Sequence, residues 1–126
     1  MEKIVVSTNK APGAIGPYSQ GIKANGFVFI SGQLPLDPAT GAFAEGGIEN
    51  QTRQSLTNVK SILEAAGSGL DKVVKTTVFL KNIADFAAMN SVYSEFFITE
   101  CPARSAFQIV ALPKGAALEI EVIALA

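Results

Sequence analysis

Hydrophobic residues in this chain keep two different periods, and the switch between them occurs more than once. From Ile48 onward, Leu56, Val59, Leu63 and Ala66 recur at helical spacing while Arg53, Lys60 and Glu64 lie off that stripe. This predicts an amphipathic helix, with Gly67 placed to end it as a left-handed cap. The stretch VVKTTVFLK then alternates, with Val74, Thr76, Val78 and Leu80 on one face and Lys75, Thr77, Phe79 and Lys81 on the other. That is the pattern of an interior strand. Helical spacing returns near Asn82, a suitable N-cap, and Phe86, Met89, Tyr93 and Phe96 or Phe97 form the expected buried stripe.

Strand signals flank this central block. KIVV near the start reads as a short strand, and the Gly/Pro-rich residues 12–18 read as a loop. Asn25-Gly26 separates Ser19–Ala24 from Phe27–Ser31, a strong signal for a two-residue hairpin turn. Residues 32–47 carry turn formers throughout, with a minor hairpin expected at Asp37–Gly41. After Pro102, Arg104–Ala111 reads as a strand, LPKG as a turn and Ala117–Leu125 as a final strand. The resulting order, β-β-β-α-β-α-β-β, is an α+β sandwich of two helices over one sheet.

The last strand raises a further requirement. Leu118, Ile120 and Val122 fill one face, whereas Glu119, Glu121, Ile123 and Leu125 share the other. Helices cover only one side of such a sheet, so Ile123, Leu125 and Phe79 need another cover. A neighbouring subunit is the simplest one, which predicts a homo-oligomer.

Composition narrows the chemistry. A chain of 126 residues fits a single domain spanning 1–126, and 48% apolar with 17% charged residues is too apolar for disorder. No apolar run approaches the ~20 residues that span a bilayer. The first residues, MEKIVVSTNK, lack a secretory pattern, and Cys101 is the single cysteine, so a cytoplasmic location is expected. The chain has no His, which excludes Ser-His-Asp and Cys-His nucleophile systems and His-based metal sites. A net charge of −1, a pI near 5.4 and the lack of a basic cluster argue against extensive nucleic-acid binding. Neither GxxxxGK[ST] nor GxGxxG occurs, so no nucleotide cofactor is expected, and no metal.

Arg104 stands out within CPARSAFQIVALP, where its neighbours are small or apolar. A permanently charged guanidinium needs either an acidic partner or an incoming anion. On a strand, Arg104, Ala106 and Gln108 share one face and Ser105, Phe107 and Ile109 the other. If Phe107 and Ile109 seek the core, Arg104 points toward a cleft or interface. Glu119 and Glu121 form either a solvated face or, in a cleft, a general acid/base. A simple hairpin through LPKG would set Glu119 opposite Gln108, so a site shared with Arg104 requires the last two strands not to be hairpin partners. Tyr18 sits at the mouth of a strand, Ser31-Gly32 at the end of another, and Asn90 within the second helix; each is either a packing residue or a cleft-lining one. Cys101 reads as an inert loop residue.

GPYSQGI at 16–22, FISGQLPLDPATG at 29–41, VVKTTVFLKNIADF at 73–86, PARSAF at 102–107 and LEIEVIA at 118–124 together resemble the RidA (YjgF) family. The resemblance implies a chorismate-mutase-like α+β fold, with a six-stranded, mainly antiparallel sheet and two helices on one face. It also implies a homotrimer with inward-facing sheets and ligand clefts between subunits. The implied activity is cofactor-free hydrolysis of 2-enamine and 2-imino acids, such as 2-aminoacrylate and 2-iminobutanoate, to 2-oxo acids and ammonia. By motif, Arg104 corresponds to the carboxylate-gripping arginine and Glu119 to the acid that activates water. Tyr18, Ser31, Gly32, Asn90, Ser105 and Ala106 correspond to cleft positions. Ala106 stands where the family often has Cys, and Val110 where a small or basic residue is usual. A non-catalytic trimer binding small carboxylates, and a ribonuclease or translation inhibitor, are the competing readings.

Overall fold

The computed structural model describes residues 2–126 and contains the strands Lys3–Val6 (β1), Gly21–Ala24 (β2), Phe27–Gln33 (β3), Val73–Leu80 (β4), Ala103–Gln108 (β5) and Leu118–Leu125 (β6). Two α-helices, Ile48–Ala65 (α1) and Phe86–Phe96 (α2), complete the order anticipated from the hydrophobic periods. Asn25 and Gly26 both adopt positive φ, 52° and 82°, as a tight turn between β2 and β3 requires. At the end of α1, Gly67 has φ 80°. Its amide donates to Glu64 and that of Ser68 to Leu63, so two otherwise orphaned carbonyls are satisfied. The small hairpin near residues 37–41 is also present, held by Asp37 N–H to the Ala42 carbonyl at 2.8 Å.

The strand order is β1-β2-β3-β6-β4-β5. β6 therefore runs through the middle, antiparallel to both β3 and β4, while β5 lies at the edge, parallel to β4. A parallel return needs a crossover, and α2 supplies it. β4 thus separates the last two strands, so they are not hairpin partners.

Both helices pack on the same sheet face. Leu56, Val59, Ile62 and Leu63 of α1 are fully buried against Val28, Val78, Leu118 and Ile120 of the sheet. Each such side chain contributes about 1.5–3 kcal/mol of burial energy. Asn58 is also buried, and its Nδ2 donates to the carbonyls of Leu34 and Leu36, at 3.2 and 2.9 Å, tying the loop after β3 to the helix.

Three local expectations need correction. The ladder between β4 and β6 shifts between Val73 and Lys75, so Val73 takes the buried position and Val74 is turned outward. Asn82 caps a 3-10 turn, Ile83–Asp85, rather than α2 itself; its Oδ1 accepts from Ala84 N–H. β5 stops at Gln108, three residues earlier than expected.

The other sheet face is apolar and exposed. Phe29, Phe107 and Leu125 retain 44–46% of their accessible surface. Phe79 and Phe107 meet edge to face there, with ring centroids 5.5 Å apart. Ile123 and Leu125 share this face, as the alternation of the last strand required. Phe107 does not enter the core, contrary to expectation.

Candidate functional site

The register decides which charged side chains can meet. Arg104 pairs with Thr76 and Glu119 with Phe79, on either side of β4. Thr76 is fully buried beneath the helices, while Phe79 lies on the open face with Phe107. Paired residues share a face, so Arg104 projects to the helix side and Glu119 to the open side. They are also three residues apart along β4, about 10 Å at the usual strand rise. Within one chain, Arg104 and Glu119 do not share a cleft; the site expected to hold both was a cleft between subunits.

Around Glu119 the structure brings together Tyr18, Ser31 and Gly32, which line a cleft of about 710 Å³ with Glu119 and Lys114. Its shape derives from a bulge. Ile30 pairs with Val122 but Gln33 with Ile120, so β3 carries one residue more than β6 at Ser31–Gly32. Ser31 pins the bulge through Oγ to the Ser19 carbonyl at 2.6 Å and N–H to the Gln20 carbonyl at 3.0 Å. The missing side chain of Gly32 makes room for an acid: a Cβ there would sit 2.6 Å from Glu119 Cδ and 2.8 Å from Oε1. Burial, and secondarily the nearby Glu121 carboxylate, push the Glu119 carboxyl above its ordinary value of 4.5.

Gln20 sets the opposite wall. It is buried, its Oε1 accepts from Thr8 N–H at 2.7 Å, and its Nε2 donates to the carbonyls of Thr8, Ala11 and Pro12. This single amide folds the loop that carries Tyr18 over the cleft. Sequence reasoning missed Gln20; a polar residue at the start of a strand beside a Gly/Pro-rich loop was the available signal.

The second cluster lies on the helix side of the β5 edge. Arg104 Nη1 donates to Asn90 Oδ1 at 2.6 Å. The guanidinium carbon lies 4.7 Å from the Tyr93 ring centroid and 5.4 Å from that of Phe86. Among the described residues the ion pair formed is Arg53 with Glu95, and none involves Arg104. The structural ion-pair reading of Arg104 therefore fails; its side-chain hydrogen-bond partner is a neutral amide. Burial pushes the Tyr93 phenol above its ordinary 10.0, partly offset by its hydrogen bond to Thr76 and the charge of Arg104.

Ser105 and Ala106 divide between the two faces. Ser105 turns to the open side, where its Oγ accepts from Lys75 Nζ at 2.9 Å, and Ala106 packs toward the core. Cys101 is exposed in the loop before β5, its Sγ 3.5 Å from the Phe97 carbonyl oxygen.

Fold and site together define a small α+β protein whose candidate groups lie at two separate places, a bulge-shaped acidic cleft and an edge-strand arginine. The chain belongs to the YjgF/Rid family: the profile described as Endoribonuclease L-PSP matches residues 8–126. A RutC family protein of Pyrococcus horikoshii is 55% identical over 97% of both chains. A protein of Capra hircus named 2-iminobutanoate/2-iminopropanoate deaminase is 51% identical over 95% of this chain and 88% of its own. Among solved structures, TdcF of E. coli with bound serine superposes with a TM-score of 0.93 at 44% identity, covering 98% of each chain.

Proposed function

We propose that this protein hydrolyses 2-imino and 2-enamine acids to 2-oxo acids and ammonia in clefts formed between subunits of a homotrimer. The observation that carries the reading is Arg104: a guanidinium gripped by a neutral amide and two rings, with no carboxylate of its own. A planar fork held in that way suits a ligand carboxylate. The names of several relatives at about half identity point to the same substrate class.

In this reading the edge of one subunit, carrying Arg104 and Asn90, closes over the cleft of its neighbour, carrying Tyr18, Ser31, Gly32 and Glu119. Ser105 and the backbone at Ala106 border the same junction. The apolar open face, with Phe29, Phe107 and Leu125, is the surface buried on assembly. An imino acid is already electrophilic at carbon, so the protein need only hold it and manage protons. Arg104 fixes the carboxylate and thereby the imine carbon. Glu119, poised by burial nearer to neutrality than an ordinary glutamate, takes a proton from the attacking water. The same proton serves the nitrogen as ammonia leaves, and Tyr18 hydrogen-bonds near the nitrogen or the methylene carbon.

Mixing subunits tests this reading. Arg104→Ala and Glu119→Gln homo-oligomers should each fail to speed the decay of imine absorbance when threonine dehydratase acts on threonine. After the two are dissociated and reassociated together at equal amounts, roughly one quarter of the clefts would hold both intact residues. Recovery of about that fraction of wild-type activity is expected. No recovery from mixed oligomers that demonstrably form would overturn the shared cleft.

A further inference from the structure

The environment of Arg104 contains more than a single hydrogen bond. Tyr93 is almost fully buried, and its hydroxyl lies 2.7 Å from Thr76 Oγ1, in a side chain with no accessible surface. Thr76 is in turn the cross-strand partner of Arg104. A threonine interrupts the otherwise aliphatic core face of β4 at the position beside the arginine, where a valine would pack as well. Its hydroxyl fixes the phenol of Tyr93, one turn along α2 from Asn90, and the guanidinium lies over that ring at 4.7 Å. Phe86, one turn before Asn90, presents the second ring at 5.4 Å.

We infer that Tyr93, locked by Thr76 and assisted by Phe86, is the positioning platform that orients Arg104 for carboxylate recognition. Arginine carries several rotatable bonds, and an exposed one samples many rotamers at an entropic cost to every ligand that must order it. Here the rings restrain the plane of the guanidinium, while Asn90 takes one N–H of Nη1 and sets its rotation about that plane. Arg104 is exposed at the β5 edge and its other guanidinium donors make no hydrogen bond among the described residues, which leaves the rest of the fork for a ligand. Thr76 has no accessible surface and Tyr93 very little, so both act through Arg104. The inference rests on Arg104 being the carboxylate anchor.

The test is binding of 2-oxobutanoate, a stable 2-oxo acid, followed by NMR titration of the assembled protein. Arg104→Ala is expected to weaken binding by about a hundredfold, the scale of removing one partner of a desolvated charge pair. Tyr93→Leu should raise Kd about fivefold, the scale of a cation–π contact at a partly exposed site. Tyr93→Phe, which keeps the ring, should recover much of that loss. Thr76→Val keeps the shape of the core, removes only the lock, and should raise Kd about twofold. In the Arg104→Ala background, Tyr93→Leu should change Kd no further, because its effect passes through the guanidinium. If Arg104→Ala binds like wild type, the anchor itself is wrong and the functional reading falls with it. If Arg104→Ala loses binding while Tyr93→Leu and Thr76→Val both match wild type, the platform alone is refuted. Equal weakening by Tyr93→Leu with and without Arg104 would also refute it, by exposing a general structural effect. Should Tyr93→Leu fail to fold, Thr76→Val decides the matter.

Discussion

Replacing Gly32 with alanine isolates the placement of Glu119 from its chemistry. The backbone of Gly32 is not in the left-handed region, so alanine is accommodated there without torsional strain. The new methyl, however, would stand 2.6, 2.8 and 2.9 Å from Cδ, Oε1 and Cγ of Glu119. Ordinary contacts between such atoms are about 3.5–4.0 Å, so the carboxyl must retreat by roughly 1 Å. Because Glu119 is only half-buried and the clash falls on the far end of its side chain, the fold can absorb the move. Stability should therefore drop by no more than about 1 kcal/mol, whereas a 1 Å misplacement of a reacting group can cost on the order of a hundredfold in rate. Imine decay under threonine dehydratase should thus slow toward the uncatalysed rate in Gly32→Ala, with the thermal midpoint within a few degrees of wild type. Full activity at unchanged stability would mean that the position of the Glu119 carboxyl does not matter, and the water-activating role would have to move elsewhere.

Protonation gives a second handle. The folded pKa of Glu119 lies above 4.5, so the folded state binds a proton there more tightly than the unfolded chain does. Stability from this group is fully present below 4.5 and is lost as pH rises through the raised folded value. Glu119→Gln should therefore melt higher than wild type at pH near 7, with the difference vanishing toward pH near 4. Removing the neighbouring charge with Glu121→Gln should shift the acid limb of the activity profile to lower pH, since a like charge no longer opposes ionisation; an unmoved limb would assign the limb to another group. Gln20→Leu leaves three loop carbonyls and the Thr8 amide without their partner and should cost about 2–4 kcal/mol in a denaturant melt, with early proteolysis near residues 8–18. Phe107→Lys, placed on the open apolar face, should reduce the oligomer mass in sedimentation without unfolding the chain, and an unchanged mass would remove that face from the interface.

How far the sequence carried the fold can be traced to particular residues. The stripes of Leu56, Val59 and Leu63, the Asn25-Gly26 turn and the Gly67 cap were all legible, because each is a local rule acting within a few residues. The two-sided character of residues 118–125 correctly announced an uncovered sheet face. Alternation, though, says which residues travel together and not which set is covered. Phe107 looked like core because it is apolar, yet it lies on the open side, and Arg104 projects instead to the helix side, exposed at the β5 edge. Nothing local specified that β6 would enter between β3 and β4, because strand order depends on contacts far apart in sequence. The bulge at Ser31–Gly32, which gives Glu119 its space, was equally invisible: the extra residue exists only relative to β6. Asn90 and Tyr18 were picked out, whereas Gln20 and the Thr76–Tyr93 pair passed as ordinary strand and core residues.

The placement of Arg104 and Glu119 on opposite sides of one sheet has a thermodynamic consequence. If a ligand must touch both, then no isolated chain can bind it fully, and ligand affinity and subunit affinity become two expressions of one linkage. Small carboxylates should tighten the assembly by mass action, and dilution should silence each molecule before it unfolds any. Specific activity would then carry a concentration threshold, a property of the population and not of the single polypeptide.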